Sequence, residues 1–365
     1  MTERHPTPRL RRFDRRTTAG VLAAVLIVGL LVAASSYPVK YVVFYPGPTV
    51  NVLGKSAGQQ IVDVAGHRAY RDAGELRLVT IIPTGPDEKV SLLDAMSAWI
   101  SRDDGVYPYG AVYAQTDTSK TVQQMSTQQM VSSQDDAVAA ALHALHIRFA
   151  TAVAVSDVSR GGPAYGRLKP GDKILNVEGH PVPTPPSLIR AISTQQPGTT
   201  LAIGFERGDR LMQTHVTTVK ATTGGGRRSM IHVSIAPTFN FPFQVHLRLG
   251  NNIGGPSAGL MFALGVYDVL TPGSLTHGLV IAGTGEITAD GTVGVIGGIQ
   301  QKLVGAQSAG ARLFFVPAGN CAEALGGNYD PKKMRLVKVD TLQSAIADLN
   351  AWTKNPSTNL PKCSR

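Results

Sequence analysis

The 365-residue chain is 43% hydrophobic and 16% charged, with 39 Gly and 23 Pro. Ordinary apolar content excludes wholesale disorder, the lack of a Gly-X-Y period excludes a collagen-like chain, and the length allows about two or three folded units. Two cysteines, Cys321 and Cys363, form neither a CxxC pair nor a Cys/His cluster, so no thiolate zinc site is expected, and a disulfide between them stays open. Of the net charge of +10, residues 1–16 hold six arginines against Glu3 and Asp14. The remaining charge is diffuse and the aromatic residues form no stacking platform, so no nucleic-acid partner is expected.

Residues 17–39 contain no charged side chain, and Val21 to Val32 is almost wholly apolar. A helix rising about 1.5 Å per residue over this stretch matches a hydrocarbon core of about 30 Å. The arginine cluster precedes it, and Tyr37, Tyr41 and Tyr45 follow. The positive-inside rule then makes residues 1–16 a cytoplasmic basic arm, 17–39 a transmembrane signal-anchor in contact with the lipid bilayer, and the bulk of the chain extracytoplasmic. A cleaved signal peptide ending near Val32-Ala33-Ala34 and a buried core helix are the other readings.

Residues 40–145 read as a mixed α/β region: a strand over 74–82, a short amphipathic helix over 91–100 and a helix over 133–145 with acidic residues at its start. Gln and Ser are dense between Gln115 and Gln134. No chemistry is legible here, and a spacer or packing platform is the expectation.

Residues 146–221 change character. A strand over 152–158 leads into the turn Ser159-Arg160-Gly161-Gly162-Pro163, then Leu168-Lys169-Pro170-Gly171-Asp172-Lys173-Ile174 and Val177-Glu178-Gly179. This spacing resembles a circularly permuted bacterial PDZ domain. The resemblance implies an extended peptide ligand added as a strand, with Pro186 to Ile192 as the groove helix and a carboxylate loop near His146-Ile147-Arg148-Phe149. Thr222 to Arg228 has the composition of a flexible linker.

Residues 222–353 carry the chemistry. After a strand over 244–249, the stretch Asn251 to Gly259 contains Gly255-Pro256-Ser257-Ala258-Gly259 and opens an apolar helix, Leu260 to Leu270. Pro256 suits a first helical turn, and helix-start N–H groups can stabilise an oxyanion beside Ser257; a glycine-rich turn capped by a serine is the structural alternative. The same residues match Gly-x-Ser-x-Gly, the nucleophile elbow of esterases. That fold needs a strand ending at the serine and a late histidine, whereas His277 is the one histidine after Ser257. A lysine base remains. Lys302 follows Gly297-Gly298-Ile299 among apolar residues, where lost hydration lowers an amine's pKa toward about 7–8.

Gly255 to Gly259, Thr284-Gly285-Glu286-Ile287-Thr288, Gly297-Gly298 and Lys302 stand in the order and approximate spacing of a Lon-type serine protease domain. With the anchor and the PDZ pattern, the chain resembles the membrane-anchored bacterial PDZ/Lon-protease family. The resemblance implies Ser257 as nucleophile, Lys302 as general base and Thr284 as the group that orients the lysine. Two departures are visible: Gly254 replaces the acidic residue usual before Gly-Pro-Ser, and no Gly-x-x-x-x-Gly-Lys-Ser/Thr phosphate loop occurs in the sequence.

The expectation is an α+β multidomain protein, with residues 354–365 as a C-terminal tail. The resemblance implies a membrane serine endopeptidase acting on polypeptide substrates, with no cofactor, no metal and no ATPase module expected; homo-oligomerisation stays open. The rival reading is a non-catalytic exported PDZ scaffold on a degenerate protease fold.

Overall fold

The computed structural model describes residues 15–208, 210–221, 228–250 and 253–364. Most of the basic arm, residues 222–227 of the expected linker and Asn251-Asn252 lie outside the described residues.

Helix α1 (Arg15–Ser36) is long and apolar enough to cross a membrane, with a mean hydropathy of 2.4 over its most apolar window and none of that window buried against the rest of the chain. The backbone then forms β1 (Pro38–Val39), β2 (Tyr41–Asn51), β3 (Glu75–Pro83) and β4 (Val90–Ser91). Next come α2 (Leu92–Ile100), β5 (Gly105–Pro108) and α3 (Ser119–Ala144). Helix α3 starts 14 residues before the expected Ser133. Thr118 and Thr121 cap it reciprocally, but its Gln/Ser-rich first half is largely exposed and shows no apolar stripe. Tertiary packing holds it, as is usual for helices whose sequence signal is weak.

A second sheet follows, built from β6 (Ala150–Val158), β7 (Lys173–Val177), β8 (Thr200–Arg207), β9 (Arg210–Thr217) and, after α4 (Pro185–Ser193), the late strand β10 (Val233–Asn240). The order is β9-β8-β7-β6-β10, which leaves β10 at an edge. Asp172, part of the pattern that carries the PDZ resemblance, is 1% exposed and holds the Arg207 guanidinium through two bonds of 2.7 Å.

The chain continues through α5 (Gly259–Leu270), β11 (Val280–Gly283), β12 (Glu286–Ile287), α6 (Ile299–Ser308), β13 (Leu313–Pro317), β14 (Arg335–Val339) and α7 (Leu342–Lys354). The main sheet runs β14-β13-β11-β3-β2-β5; its first four strands are parallel, and β2 and β5 antiparallel. Half of this sheet therefore comes from residues 41–108. The strand over 244–247 likewise pairs with Val62–Ala65. Of the two roles expected for residues 40–145, spacer or packing platform, the packing is what is seen: their strands and α3 share one apolar core with α5 and α7. The second sheet is an insertion between α3 and α5, and its β10 lies beyond residue 222, where the third domain was expected to begin.

The carboxyl-terminal tail also packs. Leu360 is buried, Lys338 N–H donates to the Pro361 carbonyl, and Cys363 is disulfide-bonded to Cys321.

Candidate active site

Gly255 has φ +83°, a left-handed conformation natural to glycine, which turns the chain into a 3₁₀ turn over Pro256–Ala258 and directly into α5. Helix α5 is almost entirely buried and apolar but for Asp268, which accepts from Leu275 N–H near its far end, and this fixes Ser257 at its mouth. The segment after β11 clamps that turn from the side. Gly285 N–H and the Thr284 hydroxyl both donate to the Ser257 carbonyl at 2.9 Å, and Leu260 N–H donates to the Gly285 carbonyl at 3.1 Å.

Lys302 sits in the first turn of α6 and is 2% exposed. Its Nζ lies 2.8 Å from Ser257 Oγ and 3.1 Å from Thr284 Oγ1. Burial pulls the amine down to about pKa 7, with Glu286 and Glu323 opposing the shift. The structure thus brings Ser257, Thr284 and Lys302 together. His277 is exposed in the turn before β11, at the opposite end of that strand from Thr284.

Helix α3 supplies contacts with no sequence signal. The Ser133 hydroxyl donates to the Pro256 carbonyl at 2.9 Å, and Gly255 N–H donates to the Ser126 carbonyl at 2.9 Å. A Cβ built on Gly254 would fall 2.2 Å from Ser126 Oγ. The position where an acidic side chain was expected is therefore occupied by α3, which explains the glycine.

Beside this turn opens a cavity of about 1070 Å³ between α3, β6 of the second sheet and the β12 segment. Pro256, Glu286 and Ile287 form its catalytic-side wall, Met125, Val131 and Asp136 its α3 wall. Burial and the neighbouring Asp135 and Asp290 raise Asp136 to about pKa 6, and burial raises Glu286 against the pull of Lys302.

The second sheet has its own groove, about 290 Å³, between α4 and the segment leading into β10. Leu188, Ile189 and Ile192 line one side, as expected; Met230, Ile231 and Ile235 line the other. The expected carboxylate loop at His146–Phe149 is corrected: Ile147 and Phe149 pack against the main core, and Phe149 rests on His143 and Phe241. The side of the groove opposite α4 is walled by Ser229-Met230, a short strand paired with Val219-Lys220, and by Ile231-His232.

Among protein families, the Lon protease (S16) C-terminal proteolytic domain matches residues 213–348, which hold Ser257, Thr284 and Lys302. The PDZ domain matches residues 125–218. The chain thus carries a Lon-type proteolytic domain, and joined to it a PDZ domain. It is 33% identical over 111 residues to the Lon protease of Mesomycoplasma hyopneumoniae (strain 232), covering 28% of this chain and 12% of that protein. To the Lon protease of Campylobacter concisus (strain 13826) it is 36% identical over 94 residues, 25% of this chain and 11% of the relative. The chain thus spans about a tenth of the length of these curated relatives. The PDZ domain of the SdrC-like protein from Listeria innocua aligns at 24% identity over 23% of this chain and 92% of that one, with a TM-score of 0.22.

Proposed function

We propose that this protein is a membrane-anchored serine endopeptidase acting outside the cytoplasm, with Ser257 as nucleophile and Lys302 as its general base. The observation that carries the reading is a fully buried amine, lowered to about pKa 7, at hydrogen-bond distance from a hydroxyl at the mouth of a helix. Near neutral pH such an amine is substantially unprotonated and able to accept the serine proton.

In the proposed cycle Ser257 Oγ attacks the scissile carbonyl carbon as its proton passes to Lys302 Nζ. The oxygen that gains charge is met in this scheme by the backbone N–H groups of Ser257 and Ala258, since Pro256 has none. Collapse of the tetrahedral intermediate breaks the C–N bond, and the lysine ammonium gives its proton to the departing amine. Water, deprotonated by the same amine, then attacks the acyl-enzyme, and as the ester C–O bond breaks the lysine ammonium returns the proton to Ser257 Oγ. Thr284 holds the amine toward Ser257 while its hydroxyl proton is spent on the Ser257 carbonyl.

The PDZ domain captures substrate by strand addition at the free edge of β10, with apolar side chains seated against α4. The cavity between α3, β6 and the β12 segment, whose wall includes Pro256 next to the nucleophile, offers the path from that domain toward Ser257. Helix α1 anchors the chain, the arginines before it favour a cytoplasmic amino terminus, and the Cys321–Cys363 disulfide suits an oxidising compartment.

Cleavage of casein and of unfolded peptides by the full chain in detergent tests the reading. Ser257→Ala and Lys302→Ala are expected to abolish it, and His277→Ala to leave it intact. Cleavage that survives Lys302→Ala and is lost in His277→Ala overturns the dyad.

A further inference from the structure

Helix α2 is built inside out. With about 100° per residue, Leu92, Leu93, Met96, Trp99 and Ile100 fall on one arc of about 120°. All five are exposed, Trp99 at 80% and Ile100 at 75%. The face turned inward carries only Ala95 and Ala98, which pack against Val43 and Val90. A helix that needed only its own core would bury the large side chains and expose the small ones. Asp94 does not interrupt the apolar arc, since its carboxylate is bonded to the Ser91 hydroxyl and backbone in a capping box.

The location of this face identifies what covers it. Where α1 ends, Tyr37 accepts a hydrogen bond from Leu92 N–H at 2.8 Å, and β1 pairs with β4, Pro38 opposite Ser91 and Val39 opposite Val90. The first turn of α2 is thereby fixed to the carboxyl end of the spanning helix, and the two helices touch. Tyr37, at 64% exposure, marks the junction with the kind of residue that favours a membrane–water interface. Any lipid phase that surrounds α1 reaches α2.

We propose that α2 is a membrane-surface helix that seats the protease body on the outer leaflet beside its anchor. Leu93, Met96, Trp99 and Ile100 enter the boundary between headgroups and acyl chains, to a depth of about 5–10 Å, as apolar faces of interfacial helices do. The body is then held by two points, α1 and α2, which fixes its tilt and so the height of the PDZ groove and of Ser257 above the bilayer. This rests on the reading of α1 as a membrane anchor.

The test uses the full chain in phosphatidylcholine–phosphatidylglycerol vesicles whose acyl chains carry bromine near the headgroup. The protein has two tryptophans, and the other, Trp352, is buried in the core at 8% exposure. Trp99 emission, obtained by difference from a Trp99→Phe chain, is expected to lose most of its intensity to the bromine. A Met96→Glu/Ile100→Glu chain, altered only at exposed positions, is expected to keep its thermal midpoint and lose that quenching. The anchor is read separately from an environment-sensitive dye on a Leu26→Cys chain, where both native cysteines are disulfide-bonded. Dye in lipid with Trp99 unquenched by bromine and open to iodide overturns the proposal and leaves the anchor standing. Trp99 shielded from both quenchers overturns it in favour of a protein partner or second copy. Dye in water overturns the anchor, and this proposal with it.

Discussion

The Ser133 hydroxyl on α3 donates to the carbonyl of Pro256, 2.9 Å away and one residue before the proposed nucleophile. A helix from the amino-terminal half of the chain thus braces the catalytic turn, 123 residues ahead of it in sequence.

The brace makes Gly254 intolerant of a side chain, because Ser126 fills the space beside it. Gly254→Asp is expected to push α3 off the Pro256 turn and lower kcat by about tenfold or more, since displacements of about 1 Å are costly at a reacting centre. Ser126→Gly in the same chain is expected to recover part of the loss. Wild-type kcat in the Gly254→Asp chain alone contradicts the account.

Thr284→Val keeps the buried volume and removes the hydroxyl shared by Lys302 and the Ser257 carbonyl. Gly285 N–H still serves that carbonyl, so the fold is expected to persist. The expected result is a fall in kcat of about tenfold, with KM little changed. Thr284→Ser is expected to restore much of the rate. A loss carried wholly by KM contradicts a positioning role.

The buried amine also governs stability. Its folded pKa is about 7, against 10.5 for a free lysine. The unfolded chain therefore binds a proton that the folded chain has released between those values, and stability rises with pH across that window. Lys302→Met removes the cost, which is on the order of a few kcal/mol. It is expected to raise the unfolding midpoint most at or below about pH 7, with the gain fading as pH approaches 10.5. A gain independent of pH contradicts burial as the cause.

Cys321–Cys363 fastens the terminal segment to the short helix after β13. A Cys321→Ser/Cys363→Ser chain is expected to lose about 2–4 kcal/mol of stability yet keep its activity at 25 °C, because neither cysteine touches the proposed dyad. Chemical denaturation of both chains checks this.

The charged residues lining the cavity beside Ser257 are all acidic: Asp136, Asp157 and Glu286. At pH 7.5, above the pKa of about 6 for Asp136, peptides with Lys near the cleaved bond are expected to show a lower KM than the same peptides with Glu. Asp136→Asn is expected to narrow the gap. Equal KM values contradict a cavity that takes substrate.

What the sequence could reveal followed the range of its interactions. That Ser257, Thr284 and Lys302 stand together was expected only from the resemblance of their joint pattern to a Lon-type domain; taken singly, the serine reads as a capped glycine-rich turn and the lysine as a surface residue. The strand at β3 was legible from alternation, and α1 and α5 from their unbroken apolar runs. The sharing of one core by both ends of the chain was not, since β3 pairs with β11 across the inserted PDZ sheet and no local pattern records a partner some 200 residues away. The first half of α3 escaped because Gln and Ser give no apolar stripe, and with it Ser126 and Ser133. The groove wall at Ser229–His232 was not foreseen because β10 joins its sheet from the far side of the linker.

The central claim is that an uncharged Lys302 takes the proton of Ser257. Single-turnover acylation by an activated peptide ester, with the adduct located by mass spectrometry, tests it most directly across pH 5 to 9. The account predicts an adduct on Ser257 alone, formed at a rate that climbs tenfold per pH unit, levels near pH 7 and vanishes in Lys302→Ala. Acylation at a constant rate over that range, or undiminished without the lysine, contradicts it.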